Sequence, residues 1–243
     1  MTTFYSWMSG RGILTLTFDD GYLNQYEVAY PILERYGYRG VVYVITGLVG
    51  GLWEGRDLMD LSHLRELVSK GWEVGSHTYS HPRLNILAAG AVERELESSK
   101  DWLTRHGFRP LSLAYPFGLY NDAVKNIASR IYRYSRTTDE GLNELVESSA
   151  ELRVCRLYED PYAGAEGRQD PVERCLAMVR RAKQDGKWAI AMIHGVVPKV
   201  SELPTPYDTF FWITQAKLEQ FIKKVHELGI EVATFEDVAK TLQ

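Results

Sequence analysis

The chain is poor in several features that would narrow its role. Only two cysteines occur among 243 residues, Cys155 and Cys175. Their separation matches no metal-binding spacing, so both read as reduced core residues and not as a disulfide framework. No apolar run approaches the roughly 20 residues that a membrane-spanning helix needs. Met1 to Arg11 lacks a charged segment followed by an apolar core, so no secretory leader is read and a cytoplasmic location is expected. No Gly-x-Gly-x-x-Gly or phosphate-loop pattern appears, which removes the commonest signature of a nucleotide-binding open sheet. The formal net charge is only −4, and Arg180-Arg181 is the nearest approach to a basic cluster. Neither nucleic acid nor an acidic membrane surface is an expected partner.

What is present is an ordinary globular composition, 45% hydrophobic and 25% charged, arranged as strand after helix after strand. Leu14-Thr15-Leu16-Thr17-Phe18 alternates at period two, as a buried strand does. Further strands are predicted over Val41–Ile45, Trp72–Ser76, Leu111–Tyr115, Tyr132–Thr137, Leu152–Leu157, Trp188–Ile193 and Ile230–Phe235. Helices are predicted over Gln25–Tyr36, Asp60–Lys70, Ala89–Arg105, Asp122–Arg130, Pro171–Gln184, from Thr214, and up to Leu242. Gly47–Gly55, Asp160–Gln169 and Val196–Ile213 read as loops, and Thr138–Ala150 shows no strong pattern. The alternation continues without a linker. It therefore predicts one α/β domain over residues 1–243, a single distorted (β/α) barrel of about seven to eight parallel strands.

Four groups of chemically capable residues fall directly after predicted strands: Asp19-Asp20, His77 through His81, Tyr115-Pro116-Phe117, and His194. Loops at the C-terminal ends of parallel strands open onto one face, so these distant residues are expected around one pocket. His63, His106 and His226 lie in or at the ends of helices and are read as structural. Taken alone, Asp19-Asp20-Gly21 also fits a strand followed by an Asp-Gly turn, and His77 and His81 also fit hydrogen-bonded turn residues. Two histidines four apart with a carboxylate would suit a divalent ion, most naturally zinc, with cobalt or manganese as alternatives. Pro82 disfavours helical geometry at His81, so the pair is expected on a tight loop.

The segments Thr17-Phe18-Asp19-Asp20-Gly21, Ser76-His77-Thr78-Tyr79-Ser80-His81-Pro82, Tyr115-Pro116-Phe117-Gly118 and Ile193-His194 resemble, in order, the motifs of the polysaccharide deacetylases. This metal-dependent group contains chitin and peptidoglycan deacetylases and the rhizobial chitooligosaccharide deacetylase. The resemblance implies a distorted (β/α) barrel that removes N-acetyl groups from N-acetylated sugars. It implies that Asp20, His77 and His81 hold one divalent metal ion, and that Asp19 is the general base. Phe117 takes the position of a backbone oxyanion donor, and His194 that of the general acid. Tyr115, Pro116 and Phe117, with Trp212 from the aromatic stretch Tyr207–Trp212, are candidates for substrate contact.

Two departures stand out. Ala114 occupies the place where the family usually has an arginine beside the catalytic aspartate, and no aspartate–tryptophan motif follows the fourth strand. Arg136, near the end of the fifth predicted strand, is the candidate replacement for the missing charge, with a plain surface arginine as the alternative. Other functions stay open at this point. They are hydrolysis of another C–N bond in a small amide, ureide or cyclic imide, cleavage of an O-acetyl ester, or carbohydrate binding without catalysis.

Overall fold

The computed structural model describes residues 12–158, 169–199 and 212–242. Its centre is a parallel sheet of β1 (Ile13–Phe18), β2 (Val41–Val44), β3 (Glu73–Ser76), β4 (Ser112–Ala114), β5 (Tyr134–Glu140), β6 (Ser149–Arg156) and β7 (Trp188–Ile193). Each strand pairs with the next, and β7 pairs back onto β1 along its whole length, from Ile13↔Trp188 to Phe18↔Ile193. The result is a closed seven-stranded barrel. The short strand β8 (Glu231–Val232) pairs with the first two residues of β1, while β2 meets only the last two, Thr17 and Phe18. Strand β8 therefore fills the wedge where β1 and β2 diverge.

Period-two alternation decides which side chains enter the barrel. From β1, Leu14, Leu16 and Phe18 face outward and pack with residues such as Ile32, Leu33, Leu176 and Phe221 from the surrounding helices. Ile13, by contrast, joins Val41, Tyr43, Tyr134, Trp188, Ile190 and Met192 inside. Thr15 and Thr17 share that inner face and are satisfied there. Thr15 Oγ1 donates to the Ala233 carbonyl at 2.7 Å and accepts from Trp188 Nε1 at 2.9 Å, while Thr17 Oγ1 donates to the Ala191 carbonyl at 2.8 Å. Buried hydroxyls without such partners would be costly.

The outer layer comprises α1 (Tyr30–Glu34), α2 (Leu61–Ser69), α3 (Ala89–Arg105), α4 (Asp122–Ile131), α5 (Pro171–Asp185) and α6 (Gln215–Leu228). The helix predicted over Gln25–Tyr36 is divided, with a wide π turn over Gln25–Ala29 preceding α1. Pro31 explains the break, since it has no N–H for the α-helical bond to Glu27. The final helix, α7 (Phe235–Thr241), lies across the N-terminal end of the barrel. Its Phe235 ring sits 5.2 Å from Trp188 and 5.4 Å from Tyr134.

One crossover lacks a helix. Between β5 and β6 the chain returns as an irregular segment whose Asn143 exchanges backbone hydrogen bonds with Trp188 at 2.9 and 2.8 Å. This is where the barrel departs from regular alternation, within the stretch whose sequence has no pattern. The loop predicted over Gly47–Gly55 holds a small antiparallel hairpin, Leu52–Trp53 with Arg56–Asp57. The described ends of the Val196–Ile213 stretch form a two-residue parallel pairing of Val196–Val197 with Ile213–Thr214. Most of the predicted loop at 160–169, and Tyr207 to Phe211, lie outside the described residues. Cys155 and Cys175 are buried and unbridged. Among the described residues, no helix is long and apolar enough to cross a membrane.

Candidate active site

The alternation that buries Thr15 and Thr17 carries Asp19 onto the same inner side at the C-terminal rim. By the same parity Arg136 follows Tyr134 on β5, and His194 follows Met192 at the end of β7. All three meet there. Arg136 is fully buried, and its Nη2 is paired with Asp19 Oδ1. Its Nη1 donates to the Thr137 carbonyl at 3.0 Å, and its guanidinium lies 5.2 Å from the Tyr43 ring centre. His194 Nε2 stands 3.7 Å from the other carboxylate oxygen, Asp19 Oδ2. A carboxylate buried at this depth needs a compensating charge, and Arg136 supplies one. The alternative of a surface arginine is therefore set aside by its placement. Arg136 pairs with Ala114 across the β4–β5 ladder, so the charge enters from the strand next to the one expected.

Asp20, the next residue, has a left-handed backbone, with φ of +70°, and its carboxylate lies beside the loop after β3. His77 and His81 lie on the loop after β3, and Thr78 and His81 are also left-handed, at +66° and +61°. The expected tight loop is thus what forms. Strained non-glycine backbone of this kind persists only where its surroundings hold it. Here Glu95 of α3 does so, accepting from Tyr79 N at 3.1 Å, Ser80 N at 2.9 Å and Ser80 Oγ at 2.7 Å. Thr78 Oγ1 accepts from His81 N at 3.0 Å.

These loops bring three ligand atoms together. His77 Nε2 and His81 Nε2 are 3.2 Å apart, and Asp20 Oδ1 lies 3.4 Å from the first and 3.5 Å from the second. A tetrahedral ion with bonds of about 2.0–2.2 Å spaces its donors by about 3.3–3.6 Å, so the triangle has the right size. The donor chemistry fits as well. His77 Nδ1 is 2.8 Å from the Ala114 carbonyl, which can only accept, so Nδ1 carries the proton and Nε2 presents a lone pair. Asp20 Oδ1 is buried without a hydrogen bond of good geometry. Burial, and then neighbouring His77, push the His81 imidazole down to about 3, keeping it neutral and able to ligate. Burial works to raise the Asp20 carboxyl, but the imidazoles of His77, His194 and His81 together hold it below the usual carboxylate range. The three residues fit a divalent cation.

Around them, the His81 ring is flanked by Trp53 at 4.9 Å and Phe117 at 4.5 Å. Phe117 is half exposed and left-handed, with φ of +58°, and its N–H meets no acceptor among the described residues. Tyr115 and Pro116, expected at the substrate, are instead buried. The Tyr115 ring joins Leu113 in the outward layer under α3 and α4, and its hydroxyl donates to the Ala150 carbonyl at 3.1 Å. Strand parity is the reason, since Leu113 and Tyr115 face out where Ala114 faces in. Trp212 is buried too, 5.2 Å from Tyr22, with the Arg56 guanidinium 4.1 Å above its ring. It covers Gly195, where any Cβ would come within 2.3 Å of the indole. Trp212 is thus a wall beside His194 and not an open stacking surface.

His63, His106 and His226 stay outside this cluster. His63 completes the capping box of α2, His106 Nδ1 lies 2.7 Å from the Trp102 carbonyl, and His226 sits in the last turn of α6. Sequence reading missed Gln25, Trp53 and Glu95. Trp53 had only its place in a glycine-rich loop to mark it. Gln25 and Glu95 act on backbone atoms of distant segments, for which a single sequence carries no signal.

Known proteins bear on this arrangement. The family model for polysaccharide deacetylase matches residues 9–133, just over half of the chain. Poly-beta-1,6-N-acetyl-D-glucosamine N-deacetylase of Staphylococcus aureus is 30% identical over 118 residues, which are 44% of this chain and 41% of that protein. The chain therefore spans less than half the length of that curated relative. The Streptococcus pyogenes deacetylase PplD, solved in complex with acetate, is 32% identical, with a TM-score of 0.56 over 68% of this chain and 69% of that one. The Xyl-CE4 domain of a multidomain xylanase from the hindgut metagenome of Trinervitermes trinervoides shares the fold across 96% of this chain and 91% of its own, at 18% identity and a TM-score of 0.61. Asp19, Asp20, His77, His81 and Phe117 lie inside the segment matched by the family model, and Arg136 and His194 beyond it. On the match over residues 9–133 and the likeness to PplD, this chain belongs to the polysaccharide deacetylase family.

Proposed function

We propose that the chain is a metal-dependent hydrolase that removes N-acetyl groups from N-acetylated sugars, as oligosaccharide or polysaccharide. The observation carrying this reading is the convergence of two constellations on one rim. The Asp20–His77–His81 triangle and the Asp19–His194 pair, 3.7 Å apart, adjoin through consecutive residues 19 and 20. The N-acetylated polymer named for the S. aureus relative and the acetate held by PplD support the substrate class and the acid product.

A divalent ion held by Asp20, His77 and His81 would supply Lewis acidity toward a water and the acetyl carbonyl oxygen. The chain's own residues do the rest. Arg136 occupies Asp19 Oδ1 and leaves Oδ2 as the working oxygen. Asp19 Oδ2 takes the proton of the water that adds to the acetyl carbon. Negative charge grows on the carbonyl oxygen, where the unshared N–H of Phe117 can meet it. His194 Nε2 gives a proton to nitrogen as the C–N bond breaks, so the amine departs neutral and acetate remains. Zinc suits the two-imidazole, one-carboxylate donor set, with cobalt or manganese as functional substitutes.

The test uses protein stripped by a chelator and reloaded with zinc, cobalt or manganese, assayed for acetate release from N-acetylglucosamine oligomers. Metal-dependent release, lost in Asp19→Asn at unchanged metal content, is expected. No release with any metal, beside turnover of a cyclic imide or ureide, would assign the site to another C–N bond. Glycan affinity without turnover of any of these would make it a binding module.

A further inference from the structure

We infer that Gln25 is a positioning residue that sets the spacing between Asp19 and His194. The inference rests on the roles proposed above for those two residues. The β1–β7 ladder ends with the Asp19 N–H donating to the Ile193 carbonyl at 2.8 Å. A parallel ladder would continue with a bond from the Gly195 N–H to the Asp19 carbonyl, and no such bond is present among the described residues. The carbonyls of Asp19 and His194 are thus left without a main-chain partner where the ladder ends.

Gln25 resolves this with one group. Its side chain is completely buried, and its Nε2 donates to the Asp19 carbonyl and to the His194 carbonyl, the latter at 3.1 Å. A primary amide nitrogen carries two hydrogens, and each has an acceptor. Two carbonyl oxygens against one terminal atom also fix that atom as nitrogen, so the amide orientation is settled by its partners. The preceding residue extends the clasp, because Asn24 Oδ1 accepts from Val196 N at 3.2 Å. Gln25 opens the π turn over Gln25–Ala29, and wide turns of this kind recur at functional positions. The side chain touches neither ligand triangle nor working oxygen in the hydrogen bonds it makes. It acts through the backbone of the residues that do the chemistry.

Asp19 stays tied by Arg136 and by its own ladder bond when Gln25 is replaced, so the change is read through the step assigned to His194. The acid matters for an amide, whose nitrogen must be protonated to leave. It matters little for an activated ester such as 4-nitrophenyl acetate, whose phenolate leaves without a proton.

The experiment compares Gln25→Glu, which is isosteric but sets an oxygen against both carbonyls, with Gln25→Met, which keeps length and removes the donors. Each is loaded with zinc, checked for metal content and thermal unfolding, and assayed on N-acetylglucosamine oligomers and on 4-nitrophenyl acetate. The expected result is kcat on the amide down by about 100-fold, of the order that a general acid contributes. KM should be unchanged, and the ester rate down by no more than about threefold. Equal losses on both substrates, or loss of the metal from both variants, would overturn the inference and leave the proposed function standing. A wild-type protein inactive on the amide would instead overturn the reading on which the inference rests. If Gln25→Glu does not fold, Gln25→Met decides alone.

Discussion

Ala114 and Arg136 face each other across the β4–β5 ladder, and the guanidinium of Arg136 pairs with Asp19. The positive charge that the motif resemblance leads one to expect at the position of Ala114 is thus delivered from the adjacent strand. The site keeps its charge balance with a different covalent attachment.

Removing that guanidinium leaves a buried carboxylate uncompensated. Arg136→Ala is expected to cost about 3–5 kcal/mol of stability, read by thermal or denaturant unfolding, and to abolish turnover. The double variant A114R/R136A should recover part of both. If Arg136→Ala unfolds at the wild-type temperature and retains its rate, the pairing has no energetic or catalytic role.

The base and the ligands should separate cleanly. Asp19→Asn is expected to bind zinc with wild-type stoichiometry while losing about 10²–10⁴ in rate, the usual contribution of a general base. His81→Ala should lose the ion itself. Metal analysis of both variants beside the rate measurement checks this, and loss of metal from Asp19→Asn would place that residue among the ligands.

Glu95 fixes the loop that carries His81 through three hydrogen bonds. Glu95→Ala is expected to weaken zinc affinity by about tenfold, as supports behind metal ligands commonly do, with a chelator competition assay as the readout. Unchanged affinity would mean that the left-handed turn at His81 holds itself.

Glu73, at the opposite end of the barrel, gives a pH signature. Burial pushes its carboxyl up to about 7 from the ordinary 4.5. Between those values the folded chain holds a proton that the unfolded chain has released. The associated stability is complete below pH 4.5 and is lost as the pH rises to 7, by roughly 3 kcal/mol. The Glu73 carboxylate oxygen accepts from Glu236 N at 3.0 Å, a bond that glutamine can also accept. Glu73→Gln is therefore expected to match the wild type at pH 4.5 and to melt several degrees higher at pH 8. Parallel melting curves across that range would contradict the buried acid's titration.

The barrel was legible because short apolar strand runs alternate with helix-spaced segments, most of which stop at glycine. The residues proposed as ligands and acid stood out because the segments carrying them begin at strand ends. Arg136 could be nominated as a charge but not placed. Its inward direction follows from the parity set by Tyr134, which the sequence places in a strand without saying which face meets the core. Tyr115 illustrates the reverse case, since this motif neighbour of Phe117 continues, just past β4, the outward side set by Leu113. Gln25 was illegible for a different reason. Its partners are two main-chain oxygens 6 and 169 positions away, and backbone atoms leave no mark on residue identity. The helix-free return between β5 and β6 was hidden for want of any periodic pattern in residues 141–148.

Helix α7, with Phe235 wedged among Trp188 and Tyr134, seals the floor of the barrel. With Ile13, Tyr43, Ile190 and Met192 packed above it, the barrel interior is solid from that end upward. The candidate site is therefore shaped by the loops at the opposite rim, and no passage runs through the described barrel.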